Sequence, residues 1–279
     1  MAGKLYIVGT PIGNRGDMSP RAIEVLESVD AVLAEDTRVT GKLLSSLGVE
    51  AKFERCDENV IAKRASGLVE RMQAGETFAF CSDAGMPGIS DPGLVLVDAA
   101  RDAGVEVEVI PGPTAVTCAI AASGFNGTAF YFGGFLPRKS AGRQKLLKSL
   151  LALDATLVFY ESPHRAAASA ADIAAIMPAR RVALCRELTK LHEEVLRLPA
   201  PQLASELAGR ESIKGEIALV IEAPAAGQAT SEITEDELKE MIAQGLEAGT
   251  PKSALAKQLA KETGISKSEM YNLIIESEE

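Results

Sequence analysis

Three short segments of this 279-residue chain carry charged groups where an apolar run has just ended. "AEDTR" brings Glu35, Asp36 and Arg38 out after "AVL", "CSDAGMPGISDPG" brings out Asp83, and "FYESPHR" brings out Glu161, His164 and Arg165. Carboxylates and guanidinium groups emerging from buried strands can position a substrate or shift one another's pKa. Asp83 is suited to accept hydrogen bonds from a ribose or to balance a cationic ligand. Asp91, before Pro92, suits a helix cap or Asx turn better. Taken alone, "AEDTR" reads better as a helix-start salt bridge with Thr37 as cap. A serine-hydrolase reading of "ESPHR" fails, because Ser162 precedes Pro163 and has no G-x-S-x-G elbow, and His164 reads as a helix-start residue.

The chain opens on "LYIVGTPIGNRGDMSP", an apolar run that empties into Gly9, Gly13 and Gly16. Such an opening is typical of nucleotide-binding proteins, yet neither phosphate fingerprint fits. The spacing is G-x-x-x-G-x-x-G rather than G-x-G-x-x-G, and Asn14-Arg15-Gly16 offers no Gly-Lys-Ser/Thr before the helix. Pro11 removes an N–H that a phosphate cradle would use. The loop is shaped to touch a ligand without gripping phosphates.

Apolar runs of strand length must position these groups. They lie at 5–8, 31–34, 52–55, 77–81, 105–110, 129–132, 156–160, 181–185 and 216–221, with helical segments between them. Ser19 with Pro20 marks a helix start, and Gly48, Gly75, Gly104 and Gly124 mark helix ends. This alternation predicts α/β architecture with parallel strands joined by crossover helices. Ligands then bind beyond the carboxyl ends of the strands, where the charged and glycine-rich segments fall. The small-residue segment "PGPTAVTCAIAASGFNG" divides the pattern into two α/β domains of the α/β/α kind, 1–117 and 118–224. "APAAGQATSE" contains a linker, 225–230, and 231–279 reads as a small all-helical domain with a helix-turn-helix-like pattern.

Composition is that of a globular protein with substantial cores: 47% of residues are hydrophobic. The four cysteines form no C-x-x-C pair and the two histidines lie far apart, so no metal is expected and thiols in a reducing cytoplasm are. No signal peptide or membrane span is evident, which makes the cytoplasm the expected location. Net charge is −10, and residues 231–279 carry eleven acids against five lysines. On this acidic background "LPRKSAGRQKLLKSLL" carries Arg138, Lys139, Arg143, Lys145 and Lys148 without an acid. That patch suits one polyanionic contact, and it suits a solvated helix face equally well.

Eight segments, "VGTPIGN", "AEDTR", "SDAGMPGISDPG", "VIPGPTA", "FGGFLPRK", "FYESPHR", "CRELTKLHEE" and "KGEIALVI", occur in this order. With them the chain resembles the ribosomal RNA small-subunit methyltransferase I group of the tetrapyrrole (corrin/porphyrin) methylase superfamily. The resemblance implies S-adenosylmethionine (SAM) in a cleft between two α/β domains, and a homodimer. It also implies methylation of the ribose 2′-hydroxyl of a decoding-centre cytidine in 16S rRNA of the small ribosomal subunit. Carried over by motif, the cofactor contacts are Ile12, Ser82, Asp83, Met86, Thr114, Ala115, Tyr160, Glu161, Leu188, Ile217 and Ala218. Asp36 or Glu161 is expected to accept the hydroxyl proton. Arg38, Arg165 and Arg186 are expected to hold phosphates, with Arg138, Lys139, Arg143 and Lys145 adding RNA affinity. Pro11-Ile12-Gly13-Asn14 stands where porphyrin-acting relatives carry Gly-Pro-Gly-Asp, which weakens a tetrapyrrole-methylase reading. A regulatory SAM- or nucleotide-binding module reading DNA through its tail is the alternative from another class.

Overall fold

Three of the helices in the first 110 residues open on side-chain caps, and the strands at 31–34 and 78–81 are buried at every residue. The structure, a computed structural model, describes residues 2–89, 93–127, 129–225, 235–263 and 266–277. In chain order the first half comprises β1 (Lys4–Val8), α1 (Pro20–Ser28), β2 (Ala31–Ala34), α2 (Thr37–Ser46), β3 (Phe53–Arg55), α3 (Glu58–Gln73), β4 (Phe78–Cys81), α4 (Gly93–Asp102), β5 (Glu106–Ile110) and α5 (Ala115–Ser123). Ser19 caps α1 by accepting from the Ala22 N–H, with Pro20 at the first helical position. Asp36 rather than Thr37 caps α2, because its carboxylate reaches forward to the Arg38 N–H. Asp91 lies outside the described residues.

The five strands form a parallel sheet in the order β3-β2-β4-β1-β5. One face packs Leu33, Phe78 and Phe80 against Leu68 and Met72 of α3 and Leu96 of α4. The other packs Val32, Ala79 and Ile110 against Leu26 of α1 and Leu44 of α2. This is the expected α/β/α sandwich.

The second half comprises β6 (Phe130–Phe135), α6 (Ser140–Ser149), β7 (Thr156–Glu161), α7 (Ala166–Ile176), β8 (Arg181–Arg186), β9 (Glu194–Pro199), α8 (Ala200–Ala208) and β10 (Ile217–Ile221). Its sheet has the order β6-β7-β10-β8-β9, and here the expectation of parallel strands fails. Only β6 and β7 run parallel; β10 is antiparallel to both its neighbours, and β9 to β8. The seven residues from 187 to 193 are too few for a parallel crossover, so β9 returns beside β8. β9 was absent from the apolar runs because its residues alternate between half-buried and exposed. On one face α5 packs Val116 and Ala119 against Val158, Ala183 and Val220. The expected boundary at 117/118 falls inside this helix.

Contacts divide the chain into two compact units, 1–148 with 155–223, and 149–154 with 224–279. The first holds both sheets. The second holds α9 (Glu235–Glu247), α10 (Lys252–Thr263) and α11 (Lys267–Glu276), whose own core includes Ile242, Leu255, Leu259, Met270 and Ile274. Residues 226–234, which include most of the expected linker, lie outside the described residues.

Candidate functional site

The parallel strands β1, β2, β4 and β5 release their loops at one edge. Antiparallel pairing sets Ile217, at the start of β10, opposite Glu161 at the end of β7 and Arg186 at the end of β8. These strand ends enclose a cavity of about 550 Å³, within the usual range for small-molecule sites. Its wall is fastened by backbone: Thr10 and Gly85 exchange two N–H···O bonds of 2.9 and 3.1 Å. Gly9 and Gly112 approach so closely that a Cβ on Gly112 would lie 2.8 Å from the Gly9 backbone. The Gly112 N–H donates to Met86 Sδ at 3.2 Å.

Every position expected to touch a cofactor lies on this wall. Ile12, Ser82, Asp83, Met86, Thr114 and Ala115 come from the first half, and Tyr160, Glu161, Leu188, Ile217 and Ala218 from the second. Glu35, Phe135, Ser162, Cys185 and Glu216 line it too. Among the described residues the lining holds four carboxylates (Glu35, Asp83, Glu161 and Glu216) and no lysine, arginine or histidine. Arg165 and Lys190, outside the lining, pair with Glu161 and Glu216 at 2.6 and 3.0 Å, and the described lining itself offers a phosphate no cationic side chain. Burial pushes the Cys185 thiol up to about 12, so it lines the wall as a neutral group.

The carboxylates differ in what they hold. Glu161 has a fully enclosed side chain; its Oε1 accepts from the Ser162 N–H at 2.7 Å and from Arg165 at 2.6 Å, and its Oε2 from Ser169 Oγ at 2.5 Å. Its charge is thus fixed in place, with its donors already supplied. Asp83 is exposed and accepts the Asp36 N–H at 3.0 Å. Asp36 and Arg38 stand beside the cavity and are not part of its lining. Arg38 donates two side-chain hydrogen bonds to Asp36, of 3.0 and 2.6 Å. These bonds, with one from the Arg38 backbone, hold the Asp36 carboxyl well below the usual range.

The arginines expected to grip phosphates already have partners. Arg165 is paired with Glu161 and donates to the Leu136 carbonyl. Arg186 donates to Glu194 at 2.8 Å and to the Lys214 carbonyl. Arg210, and after it Arg186, lower the Glu194 carboxyl to about 2. In the basic patch Arg138, Lys139 and Lys145 are exposed, but Arg143 is not. Its side chain is 6% exposed, forms a 2.6 Å ion pair with Asp172, and donates to the Pro137 and Arg138 carbonyls. Its expected role at RNA is therefore corrected to a structural one. On α6, Arg143 shares a face with Leu147, four residues on and also buried.

The β8–β9 loop closes the cavity with Leu188. It carries two non-glycine residues at positive φ, Glu187 (52°) and Thr189 (64°). Side-chain contacts over-determine this costly backbone. Lys190 reaches Glu187 at 2.8 Å, the Thr189 N–H reaches Glu193, and Thr189 Oγ1 accepts the Asn14 N–H from the first loop at 3.1 Å. Among the described residues no group of three histidines, cysteines, aspartates or glutamates could hold a metal ion. No helix among them is long and apolar enough to cross a membrane.

A model of the tetrapyrrole (corrin/porphyrin) methylases matches residues 4–204. The ribosomal RNA small subunit methyltransferase I of a Synechocystis species is 40% identical over 277 residues, covering 99% of each chain. The protein of the same name from Thermotoga maritima is 43% identical over 219 residues, covering 78% of this chain and 98% of that one. Among solved structures, uroporphyrin-III C-methyltransferase from Thermus thermophilus complexed with S-adenosylhomocysteine superposes with a TM-score of 0.55. It is 19% identical, covering 78% of this chain and 97% of that one, and so speaks to the fold.

Proposed function

The chain is a SAM-dependent methyltransferase that belongs to the ribosomal RNA small subunit methyltransferase I family of the tetrapyrrole methylases, and we propose that it methylates the ribose 2′-hydroxyl of a decoding-centre cytidine in 16S rRNA. The substrate in this reading is the small ribosomal subunit, and the setting is the cytoplasm. One observation carries the cofactor half: the cavity wall presents carboxylates, small polar groups and apolar side chains, with no basic side chain among the described lining residues. SAM bears a sulfonium, an ammonium and one carboxylate, and no phosphate. The missing phosphate fingerprints in the first loop follow from the same chemistry.

When bound, SAM supplies an electrophilic methyl group on a cationic sulfur. In this reading Ile12, Ser82, Asp83, Met86, Thr114 and Ala115 hold it from the first half, and Tyr160, Leu188, Ile217 and Ala218 from the second. Glu161, with its charge fixed by Arg165, Ser162 and Ser169, contributes a negative potential that does not need to reorganise. Transfer to oxygen is an in-line displacement, so the chief requirement is to align the 2′-oxygen. Asp36 is assigned to accept the hydrogen bond of the 2′-hydroxyl. A carboxylate of depressed pKa suffices, because the hydroxyl becomes strongly acidic as its oxygen acquires the methyl group. Arg38, which pairs with Asp36 and is 84% exposed, can swing to a phosphate. Arg165 and Arg186 act instead by fixing Glu161 and Glu194.

The test is methyl transfer from labelled SAM to small subunits that lack the modification, followed by nuclease digestion and nucleoside mass spectrometry. A single 2′-O-methylcytidine is the expected product; no transfer, with SAM still bound, would remove the rRNA assignment and leave the cofactor assignment standing. In the same reading, 1–117 and 118–224 form the two cofactor-binding domains, 225–230 links them to the helical domain of 231–279, and two copies associate. Exposed Leu94 and Val95 on α4 and Val109 on β5 support association. Sedimentation velocity tests it.

A further inference from the structure

The aromatic residue at the end of β6 has no part in the cofactor assignment above. Phe135 lines the cavity, yet 59% of its surface is exposed. Its open face is available to a ligand at the cavity's edge, and β6 is built to keep it there. The register shifts between Phe132, opposite Val158, and Phe135, opposite Tyr160, so three residues of β6 oppose two of β7. One extra residue reverses which face the next side chain occupies. Without the bulge, position 134 would stand opposite Tyr160 and Phe135 would point the other way.

Two glycines make the bulge possible. A Cβ on Gly133 would lie 2.3 Å from the Phe159 ring, and Gly134 has φ of 62°. The bulge sets both Phe132 and Phe135 against Tyr160, with ring centroids 4.9 and 5.6 Å from it in edge-to-face contact. Tyr160 thereby fixes the tilt of the Phe135 ring while its surface stays open. Leu136, 2% exposed, anchors the chain directly after it, and exposed Arg138 and Lys139 follow.

We propose that Phe135 is the platform on which the unstacked base of the target nucleotide rests while its ribose reaches into the cavity. The proposal rests on the RNA reading above. Proteins that act on single-stranded RNA commonly hold splayed bases on aromatic rings, with cationic side chains tracking the adjoining phosphates. Here a ring held at a fixed tilt at the cavity's edge, with two cations three and four residues on, supplies both parts. Phe135 is then a positioning residue for the nucleotide, and it makes no contribution to SAM affinity.

The experiment compares the full chain with F135A, F135L and F135Y, measuring SAM affinity by calorimetry and the KM for unmodified small subunits. F135A is expected to raise that KM by about 5-fold to 150-fold, with SAM affinity unchanged. F135Y should restore it, and F135L, which keeps bulk without a π-face, should not. Restoration by leucine, or an equal loss of SAM affinity, would overturn the assignment. So would a changed sedimentation coefficient for F135A, which would place the ring between copies of the chain. If the unaltered chain transfers nothing to the subunit, the RNA reading fails and this proposal with it. If it transfers and F135A does so with the same KM, stacking alone is refuted.

Discussion

Asp36 stays ionised through the physiological range, since Arg38 donates to it from its guanidinium and from its backbone. The sign follows from a depressed carboxyl pKa: the charge is in place above the ordinary carboxyl value of about 4 and is lost only as pH falls through the lowered one. Methyl transfer should therefore show no titration of Asp36 between about pH 5 and 8, whereas D36N should slow single turnover about 100-fold with SAM affinity retained. An unchanged rate at saturating subunits would release Asp36 from the chemistry. Glu194 behaves alike toward stability. Its carboxyl lies near 2 in the folded chain, so the stabilisation is complete above the unfolded pKa and vanishes as pH falls toward 2. E194Q should lower Tm at neutral pH and flatten the acid limb of the Tm–pH curve. Arg143 and its surface neighbours separate cleanly: R143A leaves the Asp172 carboxylate buried without its partner and should destabilise by about 3–5 kcal/mol. K139E/K145E should leave Tm nearly unchanged and reduce the salt dependence of subunit binding by about two counterions.

Strands and loops carry the site through backbone more than through side chains, and that governs what could be read from the sequence. Apolar runs located nine of the ten strands among the described residues, helped by β2, β4 and β10, which are buried at every residue, since burial on both faces leaves an uninterrupted signal. β9 escaped because "EVLRLP" presents one face to solvent. The direction of β10 escaped because direction is fixed by its neighbours and leaves no mark in composition. As a result, the rule of carboxyl strand ends missed Gly215-Glu216-Ile217, which enters from the amino end of its strand, and Phe135, which carries neither charge nor hydroxyl to single it out. Arg143 was misplaced for a related reason. Its charge was counted without its helical face, although Leu147 and Leu150, four and seven residues on, are buried. Gly112 is the sharpest test at this level. G112A would force a Cβ to 2.8 Å from the Gly9 backbone, parting the two loops that carry Ile12 and Thr114. Weakened SAM binding together with a lowered Tm is expected from calorimetry and thermal melts.

Across the chain, charge changes sign from region to region. The cavity wall is acidic, α6 shows cations to solvent, and residues 231–279 are acidic again. Among the described residues the cavity lining falls between positions 12 and 218, and α9–α11 have their own apolar core. A chain ending at residue 225 should therefore bind SAM with unchanged affinity, and calorimetry on that chain decides. The strand order adds something about how the molecule comes into being. β10 is the last strand in sequence and occupies the centre of its sheet. A chain that lacks Ile217–Ile221 leaves β7 and β8 without the partner they share, each with an edge unpaired. Two walls of the cavity then have no floor between them. Ile217 and Ala218 of that five-residue strand line the cavity, so a complete cofactor site requires that the chain has been synthesised as far as this strand.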